Sequence, residues 1–282
     1  MERSELIQNE DGSVYHLALM PEQVGEVIIT VGDPARVSLV SAHFDQLDYK
    51  RQNREFCTHT GRLGSKNISV ISTGIGTDNI DIVVNELHYL HVQKFGSNEA
   101  VEPLQFIRLG TSGSVSETLP VNSVLLSEVA VGLGGLLHFY PWQNNKEEVE
   151  ALLHQDERWR SLPYPYAALA GQDLLPRFKN VAYQSGVTLT APGFYGPQGR
   201  HVNLPPRVPA FLELLQQSNF KNQPFLNIEM ETAGLYGLST LLGHQSVSLS
   251  AVLANRATGD FSSEPHRVVQ QMISAVMEVV GG

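Results

Sequence analysis

The stretch FLNIEMETAGLYGLSTLL, residues 225–242, contains a short apolar run, two carboxylates and a segment with a helical pattern. Burying a carboxylate without a partner is costly, so Glu229 and Glu231 at the end of an apolar strand predict a ligand there. A polyhydroxylated ring suits this site, because a carboxylate accepts hydroxyl hydrogen bonds while the Met230 thioether packs on the carbon face. The alternative is a helix N-terminus, where the helix dipole favours acids.

The same order of strand and helix recurs from about residue 26 to the end of the chain. The clearest helix places Ile80, Val83, Val84, Leu87 and Leu90 on one buried face. The other predicted helices cover residues 35–44, 208–217, 231–242 and about 264–280. The predicted strands cover residues 26–31, 68–72, 105–109, 123–131, 187–190, 226–228 and 247–253.

This alternation predicts an α/β fold with a central mixed β-sheet that is flanked by helices on both faces. Residues 1–282 show no repeat and no shift in composition, which indicates a single domain. Residues 138–180 have the least regular pattern, so we expect an irregular surface excursion within that domain.

Composition excludes several classes of function. The net charge of −10 and the pI near 5.4 argue against a nucleic-acid-binding protein. No apolar run is long enough to span a bilayer, so we expect no membrane association. The charged residues among the first twenty predict that no signal peptide is present, and the single Cys57 predicts a reducing cytoplasm.

The sequence contains one candidate pair of metal ligands and one candidate pair of phosphate-binding arginines. His88 and His91 have i, i+3 spacing, but no further metal ligand joins them in a recognisable pattern, so we expect packed or solvated histidines and no metal. Arg36 and Arg108 lie beside glycine-rich turns that follow predicted strands, where backbone N–H groups and guanidinium forks bind phosphate oxygens. The dinucleotide and P-loop motifs are absent, which favours free phosphate. The alternatives are a surface arginine for Arg36 and a structural ion pair for Arg108.

Eight segments, in order, resemble the nucleoside phosphorylase family and specifically its uridine phosphorylase branch. They are Val14-Tyr15-His16-Leu17, Gly32-Asp33-Pro34-Ala35-Arg36, Arg54-Glu55-Phe56, Ser72-Thr73-Gly74-Ile75-Gly76, Arg108-Leu109-Gly110-Thr111, Phe194-Tyr195-Gly196-Pro197-Gln198-Gly199-Arg200, Glu229-Met230-Glu231 and Asn255-Arg256. The resemblance extends from about residue 14 to residue 280. It departs from the family pattern at Thr77-Asp78, in the order of Gly196-Pro197 and at Gly199.

The resemblance implies a role for each matched residue, and Arg108, Glu231 and Arg200 would be the catalytic ones. The phosphate-binding residues would be Gly32, Arg36, Arg54, Arg108 and Thr111. The ribose-binding residues would be His16, Glu229, Met230 and Glu231. The base-binding residues would be Phe194, Gln198, Arg200 and Arg256.

The implied reaction is phosphorolysis of uridine or deoxyuridine to uracil and the sugar 1-phosphate, with inversion and an oxocarbenium-like transition state. Inorganic phosphate would be a co-substrate, and no cofactor is expected. His16 and Arg54 would complete the pocket of a neighbouring subunit in a homo-oligomer. A purine nucleoside phosphorylase, a hydrolytic nucleosidase and a non-catalytic nucleoside-binding protein are the alternatives.

Overall fold

The computed structural model describes residues 5–96, 101–143 and 145–282. Within these ranges, none of the helices combines the length and the apolar content that crossing a bilayer requires. The α-helices in the described ranges are α1 (Pro34–Ser41), α2 (Thr77–Phe95), α3 (Lys146–Leu153), α4 (Phe211–Gln217), α5 (Thr232–Leu241) and α6 (Pro265–Gly281). The strands are β1 (Val27–Val31), β2 (Gln46–Asn53), β3 (Phe56–Leu63), β4 (Lys66–Ser72), β5 (Gln105–Ser114), β6 (Val124–Gly132), β7 (Tyr166–Leu169), β8 (Gln184–Thr190), β9 (Asn219–Phe220), β10 (Gln223–Glu229), β11 (Gln245–Asn255) and β12 (Asp260–Phe261).

The strands form one mixed sheet whose central part closes on itself. The strand order is β12-β11-β6-β8-β10-β5-β1-β4-β3-β2, and β11 pairs additionally with β5. Consequently β5, β11, β6, β8 and β10 form a closed ring, and β1, β4, β3 and β2 extend it to one side. The predicted mixed sheet in a single α/β domain is confirmed.

Central strand β1 shows why helices cover both faces. Ile28 packs into the core beneath α2 and α5, whereas Ile29 and the other odd-numbered residues pack against α1 and α6. Successive strand residues point to opposite faces, so a continuously apolar strand requires cover on both sides. The helices that were predicted to flank the sheet provide this cover.

The hairpin of β2 and β3 was not predicted from the sequence. Nearly all of β2 is exposed, and the strand lies at one end of the sheet order. Charged residues such as Asp48, Lys50 and Arg51 hide the alternation that would have marked a strand. Pairing with β3 therefore sets its conformation, and its own hydrophobic pattern does not.

The prediction that residues 138–180 form a surface excursion is wrong for much of this segment. It contains α3, and β7 pairs antiparallel with β6 at the edge of the sheet. Trp159 is fully buried and donates its Nε1–H to Ser218 Oγ at 2.8 Å. Prolines and polar residues masked these short elements, which depend on tertiary contacts.

His88 and His91 are packed, as expected, and the fold brings His244 to them. Leu104 donates its backbone N–H to His244 Nδ1 at 3.1 Å, so the ring proton of His244 lies on Nε2. That Nε2 lies 3.0 Å from His88 Nδ1 and donates to it. Within the described residues, no group of three or more His, Cys, Asp or Glu side chains is arranged to hold a metal ion.

Candidate active site

Arg108 lies inside a strand, and not at its end. The predicted turn after Leu109 is wrong, because β5 continues to pair with β11 as far as Ser114. The glycine that follows has a different role. A Cβ atom on Gly110 would lie only 1.7 Å from Nη1 of Arg108, so the absence of a side chain at Gly110 gives the guanidinium its space.

The Arg108 guanidinium is paired with the carboxylates of Glu229 and Glu231. Its Nη2 donates to Glu231 Oε2 and lies 3.4 Å from Glu229 Oε2. The other oxygen of Glu231 accepts the backbone N–H of Gly76 at 2.7 Å. Arg108 and Glu231 are buried, and no partner for Arg108 Nη1 lies among the described residues. The Nη1 group is therefore a donor that a bound anion can satisfy.

The charges at this point are not balanced, since two carboxylates share one guanidinium. Burial opposes the charged form of Arg108, but Glu231 and Glu229 raise the pKa of Arg108, so it stays a cation. Burial raises the pKa of Glu231; Arg108 opposes this shift and Glu229 adds to it. The direct ion pair and the Gly76 hydrogen bond both favour the ionised form of Glu231.

Glu229 matches the helix-start alternative, whereas Glu231 does not. Both oxygens of Glu229 accept N–H groups from the first turn of α5, with Glu231 N at 3.0 Å and Thr232 N at 3.1 and 3.0 Å. Thr190 adds a hydroxyl hydrogen bond at 2.5 Å. Glu229 thus caps α5, and Glu231 turns away from the helix toward Arg108. Met230, between them, is only partly buried.

Arg36, in the first turn of α1 just after β1, lies near Arg108 of β5. Its Nη1 donates to the carbonyl oxygen of Leu109 at 3.0 Å. Burial lowers the pKa of Arg36, and the nearby positive charge of Arg108 lowers it further. No carboxylate within the described residues lies within ion-pair distance of Arg36, so the proximity of two cations favours an anion between them. Gly32 lies at the end of β1, and Thr111 is partly buried on β5.

The predicted base-binding residues form a second cluster, which combines the loop after β8 with Arg256 directly after β11. Arg200 donates from Nη1 to the Phe194 carbonyl oxygen at 2.7 Å and to Gln198 Oε1, and its guanidinium carbon lies 3.9 Å from the centre of the Phe194 ring. Arg256 donates to the Gln198 carbonyl oxygen at 2.7 Å. Because the Gln198 oxygen is turned to Arg200, its amide N–H groups remain available as donors.

Backbone hydrogen bonds tie this cluster to the carboxylates. Ala191, at the start of the loop, donates to the Glu229 carbonyl oxygen at 2.8 Å. Arg256 donates its backbone N–H to Ser114 at the end of β5, at 2.9 Å. The phosphate, sugar and base candidates therefore lie on or directly beyond β1, β5, β8, β10 and β11.

His16 and Arg54 form a separate surface cluster. His16 Nδ1 lies 2.6 Å from Glu86 Oε1, and Asn53 Nδ2 donates to the His16 carbonyl oxygen at 2.8 Å. Arg54 donates to the Tyr15 hydroxyl at 3.3 Å and adopts a positive φ of 52°. No recorded contact within the described residues joins His16 or Arg54 to Arg108 or Glu231. A positive φ in arginine is strained, and such strain is retained mainly where a residue has a function.

A groove lies beside this surface cluster. It has a volume of about 540 Å³ and is lined in part by Tyr15, His16, Glu86 and Tyr140. Neither Arg108 nor Glu231 lines it. The candidate site is therefore assigned from its chemistry, and the groove marks the face that carries His16.

Two residues at the site were missed by reasoning from the sequence. Gly76 belongs to a quoted motif, but only the folded chain shows its N–H directed at Glu231. Thr190 ends β8 with no distinguishing pattern, and its contact with Glu229 requires the tertiary structure. The unexpected Asp78 is exposed in the first turn of α2, where the helix dipole favours an acid.

The fold and the site together define an enzyme class. An α/β sheet that places one arginine within a strand and another just beyond a strand, beside buried carboxylates, is suited to joining an anion and a sugar. A sequence profile of the Phosphorylase superfamily matches residues 26–280. The chain belongs to the phosphorylase superfamily.

Individual relatives agree with this assignment. The chain is similar to a uridine phosphorylase of Thermococcus kodakarensis, with 29% identity over 97% of this chain and 88% of that protein. It is also similar to a uridine phosphorylase of Haemophilus influenzae, with 27% identity over 89% of this chain and 90% of the relative. A solved Trypanosoma brucei nucleoside phosphorylase, which shows uridine phosphorylase activity, superimposes with a TM-score of 0.87 and 27% identity, covering 97% of this chain and 98% of the other.

Proposed function

We propose that the protein catalyses the phosphorolysis of uridine, and of deoxyuridine, to uracil and the sugar 1-phosphate. The observation that carries the proposal is the buried contact of Arg108 with Glu231, next to Arg36. This arrangement places a site for an anion directly beside an acceptor for sugar hydroxyls. The similarity to several uridine phosphorylases supports the same reaction.

Phosphate would bind between Arg36 and Arg108. The free Nη1 of Arg108, the Gly32 turn and the Thr111 hydroxyl would provide donors to its oxygens. The bound phosphate would be the nucleophile and would also stabilise positive charge on the sugar as the glycosidic bond breaks. Positioning and electrostatic stabilisation suffice for this step, which inverts the anomeric carbon.

Glu231 would accept hydrogen bonds from the ribose hydroxyls, with Met230 against the ring. Its negative charge, adjacent to an oxocarbenium-like sugar, favours the transition state over the ground state. The contacts of Glu229 with the first turn of α5 support an indirect role for it in ribose binding. Its direct contact with ribose remains a prediction.

The leaving base would be bound by the loop after β8. Uracil leaves as an anion with charge on its carbonyl oxygens, and Arg200 and the Gln198 amide would donate to that edge. Phe194 would stack near the ring, while Arg256 holds the Gln198 backbone. This donor-rich edge favours pyrimidines over purines, and the pair of phosphate arginines argues against a hydrolytic nucleosidase and against a non-catalytic binding protein.

The surface cluster of His16 and Arg54 supports a proposal about assembly. We propose a homo-oligomer in which these residues complete a neighbouring subunit's pocket, His16 at the 5′-hydroxyl and Arg54 at the phosphate. Their separation from Arg108, the exposure of Arg54 and the partial exposure of His16 fit this arrangement. We also propose a cytoplasmic location, which the single Cys57 supports. No metal or organic cofactor is required by the proposed chemistry.

The decisive experiment is incubation with uridine in the presence and absence of phosphate, with uracil and ribose 1-phosphate measured together. We expect both products only when phosphate is present. Equal uracil release without phosphate would identify a hydrolase. Faster cleavage of inosine than of uridine would identify a purine enzyme.

A further inference from the structure

Thr190 connects the base loop to the helix that carries the sugar-binding carboxylate. It is the last residue of β8 and is 1% exposed. Its hydroxyl donates to Glu229 Oε1 at 2.5 Å and accepts the backbone N–H of Ala233 at 3.0 Å. Both hydrogen-bonding functions of the hydroxyl are therefore used within a buried site.

Thr190 and Glu229 together cap α5. An α-helix leaves its first N–H groups without partners inside the helix, and a side chain at the N-cap commonly satisfies one of them. The N-cap residue of α5 is Glu231, whose side chain makes no capping hydrogen bond. Glu229 accepts from Glu231 N and Thr232 N, and Thr190 accepts from Ala233 N.

The external cap has a consequence for Glu231. Because other residues satisfy the helix terminus, the Glu231 carboxylate is free to reach Arg108 and Gly76. Its position depends on where α5 begins, and Thr190 fixes that point relative to β8. The chain leaves Thr190 directly for the loop that carries Phe194, so the same residue contacts the α5 cap and begins the base loop.

We propose that Thr190 is a positioning residue for sugar recognition, which acts through the α5 cap on Glu231. The proposal rests on the proposed function of the site. Loss of the hydroxyl leaves the Ala233 N–H without its partner and removes a donor from Glu229, so the first turn of α5 shifts. A displacement near 1 Å at a reacting group can lower a rate about 100-fold.

Thr190→Val tests the proposal because it keeps the branched shape and removes only the hydroxyl. The matched control is Thr188→Val, which lies on the same face of β8, is fully buried and loses a 2.6 Å hydrogen bond to Ser127. Both substitutions lower Tm, since Thr190→Val removes two buried hydrogen bonds and Thr188→Val removes one. We expect only Thr190→Val to lower kcat/KM for uridine, by about 10- to 100-fold, and to weaken uridine binding. Thr190→Ser retains the hydroxyl and should recover most of the loss.

A double-mutant cycle separates action through Glu231 from a general structural effect. In a Glu231→Gln background, Thr190→Val should cause little further loss of kcat/KM, because the group that it positions has already been changed. An equal further loss, or kinetics of Thr190→Val that match those of Thr188→Val, would overturn the proposal. If Thr190→Val does not fold, Thr190→Ala is measured in its place, and an Ala variant with the uridine kcat/KM and Kd of wild type would overturn the proposal.

Measurements on the wild-type protein distinguish failure of the proposed function from failure of the Thr190 proposal. Wild-type protein that binds uridine but cleaves it without phosphate would overturn the proposed function alone, and the effect of Thr190→Val on the uridine Kd would still test positioning. Wild-type protein that neither binds nor cleaves uridine would overturn both.

Discussion

Gly76 donates its backbone N–H to Oε1 of Glu231 across 2.7 Å and so joins the N-terminus of α2 to the N-terminus of α5. The other oxygen of the same carboxylate is held by Arg108. The fold fixes both partners, because Gly76 is the N-cap residue of α2 and Arg108 lies in the central strand β5. Glu231 is therefore oriented before a sugar binds, and its remaining lone pairs can accept hydroxyl groups.

Glu231→Gln should lower kcat for uridine by about 100-fold, because the negative charge that favours an oxocarbenium-like sugar is lost. The amide would also present a donor to Gly76 N–H or Arg108, so Tm should fall as well. Glu128→Gln, at a partly buried carboxylate that accepts a hydrogen bond from Ser185, is the control and should leave kcat unchanged. Parallel measurement of kcat and Tm tests this, and an unchanged kcat with a lowered Tm would make Glu231 purely structural.

Gly110→Ala should displace the Arg108 guanidinium, since the added Cβ would lie 1.7 Å from Nη1 and 2.7 Å from Cζ. We expect KM for phosphate to rise about tenfold or more, because a misplaced cation weakens a charge-assisted contact of about 1.5–3 kcal/mol. Gly113→Ala on the same strand meets only atoms 4.0 Å away and is the control. Unchanged phosphate kinetics in Gly110→Ala would remove Arg108 from the phosphate site.

Many of the regular elements could be predicted from the sequence, because apolar periodicity is a local signal, and residue type marked Arg36, Arg108 and Glu231 as candidates. α2, for example, carries its own buried face at helical spacing. By contrast, β2 is exposed and depends on β3, and the strand character of Gly110 to Ser114 depends on pairing with β11. In the sequence alone, Gly110 and Gly113 resemble turn residues, because the pairing of this segment with β11 is not visible.

The different structural roles of Glu229 and Glu231 could not be predicted either. Two acids that flank Met230 have the same local pattern, and only the position of α5 shows that one caps the helix and the other pairs with Arg108. The same limit applies to His244. It is far in sequence from His88 and joins it only through the packing of α2.

Arg200→Ala should lower kcat/KM for uridine by about 100-fold or more, because a charged donor to the departing base is lost. KM for phosphate should change little, since Arg200 contacts Phe194 and Gln198 and not the phosphate arginines. Arg207→Ala, at an exposed arginine in the same segment, is the matched control. Steady-state kinetics with both substrates varied will test this, and normal uridine kinetics in Arg200→Ala would reassign base recognition.

The histidine cluster of His88, His91 and His244 should make the fold sensitive to acid. Burial, with His88 and His91 beside it, lowers the pKa of His244 to about 3. An unfolded histidine titrates near pH 6.5, so below that pH the unfolded state binds a proton that the folded state does not. The stability contribution is complete above about pH 6.5 and is lost progressively down to about pH 3.

The expected loss between pH 7 and pH 5 is about 1–2 kcal/mol from His244 alone. His244→Asn keeps an acceptor for Leu104 N–H but does not titrate, so its stability should fall less steeply over this range. His201→Asn replaces an exposed histidine and is the control. Urea unfolding at pH 7, 6 and 5 provides the measurement, and parallel slopes for wild type and His244→Asn would contradict the assignment.

Subunit mixing tests whether His16 and Arg54 complete a neighbouring pocket. Neither residue has a recorded contact with Glu231 within the described residues, so a shared pocket requires two chains. His16→Ala and Glu231→Ala should each be nearly inactive as homo-oligomers. In a mixed dimer, one pocket carries both substitutions and the other carries neither, so random pairing should restore about a quarter of wild-type activity. Subunit exchange is confirmed separately by differently tagged chains, and full exchange without any recovery of activity would show that each pocket is built from a single chain.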